Sequence, residues 1–388
     1  MANGTTWQLL FVDDYAETCR QVGEYLDGEV IAAPEGRLRV TTLTDFAAAL
    51  NELERRRFDL LILDVRLGPY EEMQEEEAGV MALQAIQQRC FVPVVFYTGL
   101  PHLVRDLETP LIRVVEKTEG LSYLLETVRN IFTTRLPAVN RALIRLLETV
   151  QRDYMWDFVA THWERFGDTP DRTALAYLLA RRLAVSLAGP GIRQLVLDLG
   201  DPTGTAAVKG RVHPMQYYVM PPVESAPLTG DLYPGQIEGQ AGHWVLLTPS
   251  CDLVMGRGKA EWVLLARCAP LTEQVEYQKW QSSLPQPSRT SEKNLRALLQ
   301  DNRQDGQPDR FYFLPGALAL PDLIVDFQQL VTLPRGQMDS LKRVASLDSP
   351  FAEALLARFG RYFGRLGTPD LDVEVLVARL RSGVGQGV

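Results

Sequence analysis

Cysteine is scarce: four in 388 residues, at positions 19, 90, 251 and 268, too few for a disulfide scaffold. No Cys-x-x-Cys pair, no phosphate-binding glycine loop and no H-E-x-x-H occurs, so zinc ribbons, P-loop nucleotidases and zincin proteases have no support. No run approaches the roughly 18 apolar residues of a membrane span. The N-terminus lacks the basic, apolar, small-residue order of a secretory signal. A reducing cytosol is the expected compartment, and no membrane partner is expected. A basic excess is also missing. The net charge is −9, and the first 137 residues, with 22 acidic and 13 basic side chains, carry all of it. This argues against nucleic acid as a partner.

What is present is ordinary globular composition, 46% hydrophobic and 23% charged, over a length that suits two or three domains. The first third alternates short Val/Ile/Leu runs with amphipathic stretches. LLFV (9–12), RLRVTT (37–42), DLLIL (59–63), VPVVFY (92–97) and LIRVV (111–115) read as strands buried on both faces. Helical patterns between them carry Cys19, Val22 and Leu26, then Phe46, Leu50 and Leu53, then residues 80–88 and 122–132. Five strands, each followed by a helix, predict an α/β doubly wound, five-stranded parallel sheet, with ligands beyond the carboxyl ends of the strands.

Those ends hold Asp13-Asp14, Asp64, Thr98-Gly99 and Lys117. Gathered carboxylates repel one another and favour a hard divalent cation, and Mg²⁺ suits a site completed by waters and a phosphate. A lysine and a hydroxyl beside them suit a phosphoryl oxygen. This order resembles the receiver domain of bacterial two-component response regulators, over about residues 5–135, a flavodoxin-like fold. The resemblance implies that Asp64 is the phospho-acceptor, that Asp13, Asp14, Asp64 and the Arg66 backbone carbonyl bind Mg²⁺, and that Thr98 and Lys117 contact the phosphoryl group. It implies a histidine kinase or phosphotransfer protein as partner. Two positions depart from the family: Thr118 replaces the usual proline after the lysine, and Val114 replaces the aromatic switch residue. The acidic stretch 68–79, with Glu71, Glu72, Glu75, Glu76 and Glu77, reads as a solvated charge run or an attractor of a basic partner. A residue 64 far from 13 and 14, or a basic side chain plugging the hollow between them, would contradict this reading.

Residues 138–190 read as a helical connector: one helix over 138–166, a cap at Asp168-Thr169-Pro170-Asp171, and a second helix stopping near Leu187. Trp156 and Trp163, seven residues apart, are expected in a core. The helical hairpin offers a surface to dock on the receiver or to pair with its copy in a homodimer.

Residues 191–388 read as a β-rich, α+β output domain of unrecognised family. Strands are expected at 192–199, 213–220, 243–249, 260–268 and 323–333, a helix edge and loop at 272–294, an exposed loop at 302–310, and helices at 351–366 and 370–381. The stretch 234–253 resembles the opening strands of the small SH3-like barrels of MazF/PemK-type toxins. Gln236 stands where that family begins on an acid and its catalytic positions do not align, so no ribonuclease activity is implied. No recognition-type helix follows the connector before the strands, which argues against an ordinary winged-helix output. Cys251, Asp252 and His243 are a candidate output site, set against a buried cysteine with Asp252 capping a turn. His243 lies eight residues from Cys251, on the order of 25 Å along an extended strand. Cys251, Cys268, His213 and His243 are zinc-type ligands without paired spacing.

The expected function is that of a phosphorylated regulatory protein acting through protein partners, its plan looking like two-component-like systems that include some in antiviral defence. The rivals are a receiver-gated hydrolase or nuclease centred on Cys251 and His243, and a structural interaction protein whose receiver has lost its chemistry.

Overall fold

The computed structural model describes residues 5–32, 34–65, 75–163, 173–187, 212–254, 256, 259–303, 306–365 and 371–383. Its internal contacts divide the chain into two units, 1–209 and 210–388.

The first unit is built on a six-stranded sheet in the order β2-β3-β1-β4-β5-β6. The strands are β1 (Thr5–Val12), β2 (Val30–Ala32), β3 (Glu35–Leu43), β4 (Leu60–Leu63), β5 (Val94–Thr98) and β6 (Ile112–Glu116). Five of them, β3-β1-β4-β5-β6, run parallel. The sheet is mixed rather than five-stranded and parallel, because the short β2 adds antiparallel to β3 at the edge. With Val30 exposed, β2 has no apolar run to announce it.

Alternation along the strands makes two cores. Leu9, Phe11, Leu60, Ile62, Val95 and Tyr97 face one, with α1 (Ala16–Leu26) and α4 (Gly120–Thr133) packed over them. Leu10, Val12, Leu61, Leu63, Val94 and Phe96 face the other, under α2 (Phe46–Arg55) and α3 (Glu75–Gln87). Each fully buried side chain of this size contributes about 1.5–3 kcal/mol. Helix α2 begins where the Asp45 carboxylate accepts from the Ala48 amide at 2.6 Å. Helix α3 starts at Glu75, before the stretch that shows helical periodicity.

One expected helix is not there. The crossover from β5 to β6 is two short 3₁₀ turns, Pro101–Leu103 and Arg105–Leu107. Val104 between them is wholly buried, but the segment has no apolar stripe of helical period and opens on a proline. Beyond α4, Arg135 adopts a left-handed φ of 60° and turns the chain into α5 (Leu136–Asp153), which continues as a π-helical stretch, Tyr154–Ala160. Arg141 of α5 ties it to the sheet: its guanidinium pairs with Asp59, donates to the Thr6 carbonyl at 2.8 Å and lies 4.2 Å from the Trp7 ring centroid. Helix α6 (Thr173–Ser186) follows. Trp156 and Trp163 are 72% and 51% exposed, not in a core of this unit as expected; no described element covers that face of the helix. The cap at 168–171 and the strand expected at 192–199 lie outside the described residues.

The second unit is a seven-stranded antiparallel sheet in the order β11-β12-β10-β9-β8-β13-β7. Its strands are β7 (Tyr218–Val219), β8 (Asp231–Ile237), β9 (Gln240–Leu246), β10 (Trp262–Pro270), β11 (Phe311–Leu314), β12 (Leu323–Pro334) and β13 (Ala345–Leu347). Among the described residues its edge strands β11 and β7 are not paired with each other. The β8–β9 hairpin turns on Glu238 and Gly239, both at positive φ (47° and 79°), the two-residue geometry that matches strand twist. The strand expected at 213–220 shrinks to two residues, because Pro214 opens a 3₁₀ turn capped by the His213 ring, which accepts from the Met215 amide. The stretch 272–294, expected to be a helix edge followed by a loop, contains α7 (Val275–Ser282) and, where the loop was expected, the start of α8 (Arg289–Leu299), the latter capped by the Ser288 hydroxyl. Helix α9 (Phe351–Phe363) packs Leu355 and Tyr362 onto one sheet face, and α10 (Val373–Gly383) ends the described chain. No described helix is long and apolar enough to cross a membrane.

Candidate phosphoryl-acceptor site

Strand register assembles the site. Val12 of β1 lies beside Leu63 of β4, so Asp13 and Asp64 leave the sheet side by side, and the Asp64 amide donates to the Val12 carbonyl at 3.0 Å. Carboxylate oxygens of Asp13, Asp14 and Asp64 lie within 4.8 Å of one another, the one grouping of its kind among the described residues. Asp13 and Asp64 are 0% and 1% exposed, while Asp14 is exposed. Asp13 and Asp14 do not cap α1, whose N-cap residue is Tyr15 with no side-chain bond; Asp13 Oδ1 instead accepts from the Tyr15 amide at 3.0 Å.

Lys117, just past β6, reaches across the rim. Its Nζ donates to Asp13 Oδ2 and Asp64 Oδ2, 2.7 Å each. A basic side chain does enter the hollow, but it is the lysine of the set itself, and it leaves Asp64 Oδ1 buried with no hydrogen-bond partner. Burial opposes the charge on Lys117, but hydrogen bonds to Asp13 and Asp64 and their charges outweigh it, so its pKa stands above the ordinary lysine value. Three carboxylates and one ammonium leave two negative charges, and a buried carboxylate oxygen without a donor is costly unless something positive meets it. The oxygen donor set and the orphaned Oδ1 fit Mg²⁺. Arg66, expected to offer its carbonyl to the metal, lies outside the described residues, as does most of the acidic loop.

Thr98 ends β5, wholly buried, its hydroxyl accepting from the Leu100 amide at 3.1 Å. Thr118 is exposed and Val114 half-buried. Sequence reasoning put Cys19 on the apolar face of the first helix but missed its link to the site: its buried Sγ lies 3.3 Å from the Asp13 carbonyl and 3.4 Å from the Leu43 carbonyl, which share its one proton. Burial, then the Asp13 charge, pushes its pKa up, so it supports the floor as a neutral thiol.

The output candidates are not brought together. Cys251 is exposed in the 3₁₀ turn Ser250–Asp252, where its Sγ lies 3.7 Å from Asp252 Oδ1. His243 sits inside β9 opposite Cys268 of β10, and burial lowers its pKa. No hydrogen bond joins Cys251 to His243 among the described residues, and Cys268 is fully buried, its pKa pushed far up by burial.

No protein-family model matches the sequence, and no curated protein matches it. Solved structures similar to the chain include response regulator receiver domains that cover about a third of it. The signal receiver domain of an HD domain-containing protein from Pseudomonas fluorescens Pf-5 is 20% identical, covering 34% of this chain and 97% of that one, with a TM-score of 0.28. Chemotaxis response regulator CheY4 of Vibrio cholerae is 23% identical over 33% of this chain and 99% of that one, TM-score 0.25. Full-length FixJ from B. japonicum is 19% identical over 52% of this chain and 98% of that one, TM-score 0.28. Identities and scores this low leave the receiver-like fold to rest on the strand order and register of the first unit itself.

Proposed function

We propose that the chain is a response-regulator-like signalling protein that accepts a phosphoryl group on Asp64. The observation that carries this is the buried, unpartnered Asp64 Oδ1 beside Asp13, Asp14 and Lys117. Asp13, Asp14 and Asp64, with the Arg66 carbonyl, would hold Mg²⁺, which when bound supplies positive charge to neutralise phosphoryl oxygens. Lys117 gives up one carboxylate contact to receive a phosphoryl oxygen, and the Thr98 hydroxyl donates to another. The donor is a histidine kinase or phosphotransfer protein of the same compartment, the cytoplasm.

The domain plan is a receiver over 1–137, a helical connector over 138–190 and an output domain over 191–388 that acts through protein partners rather than DNA. The added charge biases the arrangement of these parts. The exposed aromatic side chains Trp156 (72%) and Tyr177 (76%) support a connector that pairs with a second copy of the chain. Light scattering with and without a phosphoryl mimic tests that pairing, and an invariant monomer contradicts it.

The acceptor reading is tested by intact mass after incubation with a small phosphodonor. With Mg²⁺ the wild type gains one phosphoryl group, while Asp64→Ala, or wild type with the metal chelated, gains none. A wild type left unmodified by the small donor and by its kinase favours a receiver fold without the chemistry.

A further inference from the structure

In the second unit, strands β10 and β12 lose register between Ala266 and Arg267: Ala266 faces Leu330, whereas Arg267 faces Asp326. Three residues of β12, 327–329, are therefore extra. Phe327 turns into the core, and Gln328 and Gln329 are thrown outward. Asp326 at the base of this bulge is already committed: it takes both ends of the Arg310 guanidinium (2.8 and 2.7 Å) and the Gln328 amide (3.0 Å).

Arg267 is thereby left without an anion. Its Nη1 donates to Gln329 Oε1 at 3.1 Å, which fixes the plane of the guanidinium. Its Nε is buried with no acceptor, and it belongs to no ion pair among the described residues. Because Nε is shut off from solvent, the part of the guanidinium left to donate to a carboxylate or phosphate oxygen is Nη2, which makes no hydrogen bond among the described residues. Around it lies a concavity of about 500 Å³, floored by Trp244, Ile237 and Val331, with Gln240 and Gln328 among its polar walls. Apolar floor, convergent amides and one fixed cation are the elements of a small-molecule site. Glu238, on the hairpin turn, is the sole acid of the lining.

We infer that this concavity binds a small ligand that presents an oxyanion to Arg267 and polar groups to Gln240 and Gln328. The inference is independent of phosphorylation at Asp64. Phosphate monoesters and carboxylates share the required chemistry, and the test separates them. The full chain is titrated by calorimetry with a nucleoside monophosphate, with inorganic phosphate, and with an N-acetylated aromatic amino acid. Saturable binding of one probe by wild type identifies the source. Arg267→Gln then weakens it at least tenfold, Arg267→Lys weakens it less because the charge remains but the guanidinium positioned by Gln329 is lost, and Glu238→Gln tightens it by removing the opposing charge. The Glu238 variant keeps the test valid should an Arg267 variant unfold. Absence of saturable binding by wild type at millimolar probe, or equal binding by folded Arg267→Gln, overturns the proposal.

Discussion

The Lys117 ammonium lies 2.7 Å from both Asp13 and Asp64, joining the ends of β1 and β4 from the end of β6. The same contact holds the acids together and presents a positive charge where phosphoryl oxygens would arrive. Lys117→Met is expected to slow phosphoryl uptake about 100-fold, the scale for losing one charge-stabilising donor. The initial rate with a small phosphodonor measures it; an unchanged rate contradicts the role. Because the folded pKa is raised, the stabilisation from this bridge is complete below 10.5 and is lost as pH rises through the higher folded value. Alkaline unfolding of wild type, absent from the variant as a separate contribution, shows it.

Gly79 lets α3 approach the β5–β6 crossover. A Cβ there would lie 2.4 Å from Val104 Cγ1 and 3.3 Å from Val65 Cγ1. Gly79→Ala is expected to destabilise the first unit by about 2 kcal/mol through overpacking. Adding Val104→Ala removes the nearer clash, so chemical denaturation should show the double variant less destabilised than the sum of the singles. Simple additivity would refute the contact.

The Arg141–Asp59 pair fastens α5 to the sheet, with side chains 17% and 8% exposed. Removing the cation strands a carboxylate that otherwise accepts only from the Gln8 amide. Arg141→Met should cost about 3 kcal/mol, read as a lower denaturation midpoint of the first unit's transition, with protease sensitivity appearing near 136–153. An unaltered midpoint means that α5 is held by other contacts.

Burial pushes the Asp326 carboxyl up, but hydrogen bonds from Arg310 and the Gln328 amide and the Arg310 charge outweigh it and hold the pKa below 3.8. Its stabilisation is therefore present above 3.8 and lost as pH falls through the lower folded value. Arg310→Met is expected to cost about 2 kcal/mol at neutral pH, with the difference from wild type shrinking in acid. A difference that is constant down to pH 2 would contradict the pairing.

The candidate site was legible because buried parallel strands write themselves as apolar runs, and the runs stop at polar residues that leave the sheet: Asp13, Asp64, Thr98 and, one residue past Glu116, Lys117. What the sequence hid depends on partners far along the chain. Strands β2 and β13 are three residues long, and β8 contains Pro234 and Gly235, so none shows a period. The missing crossover helix could be suspected only from Pro101 and the lack of an apolar stripe. Arg267 gave one signal, a charge between buried Ala266 and Cys268, but its unpaired state follows from a bulge some 60 residues later and is visible only in the register of β12.

The most direct measurement of the central claim is to locate the modified residue. Protein treated with phosphodonor and Mg²⁺ is reduced with borohydride, which cleaves an aspartyl phosphate to homoserine and free phosphate, and is then mapped by peptide mass spectrometry. Homoserine at position 64, and nowhere in Asp64→Asn, is the predicted result. Homoserine at another carboxylate, or none in a protein shown to be folded, would contradict it.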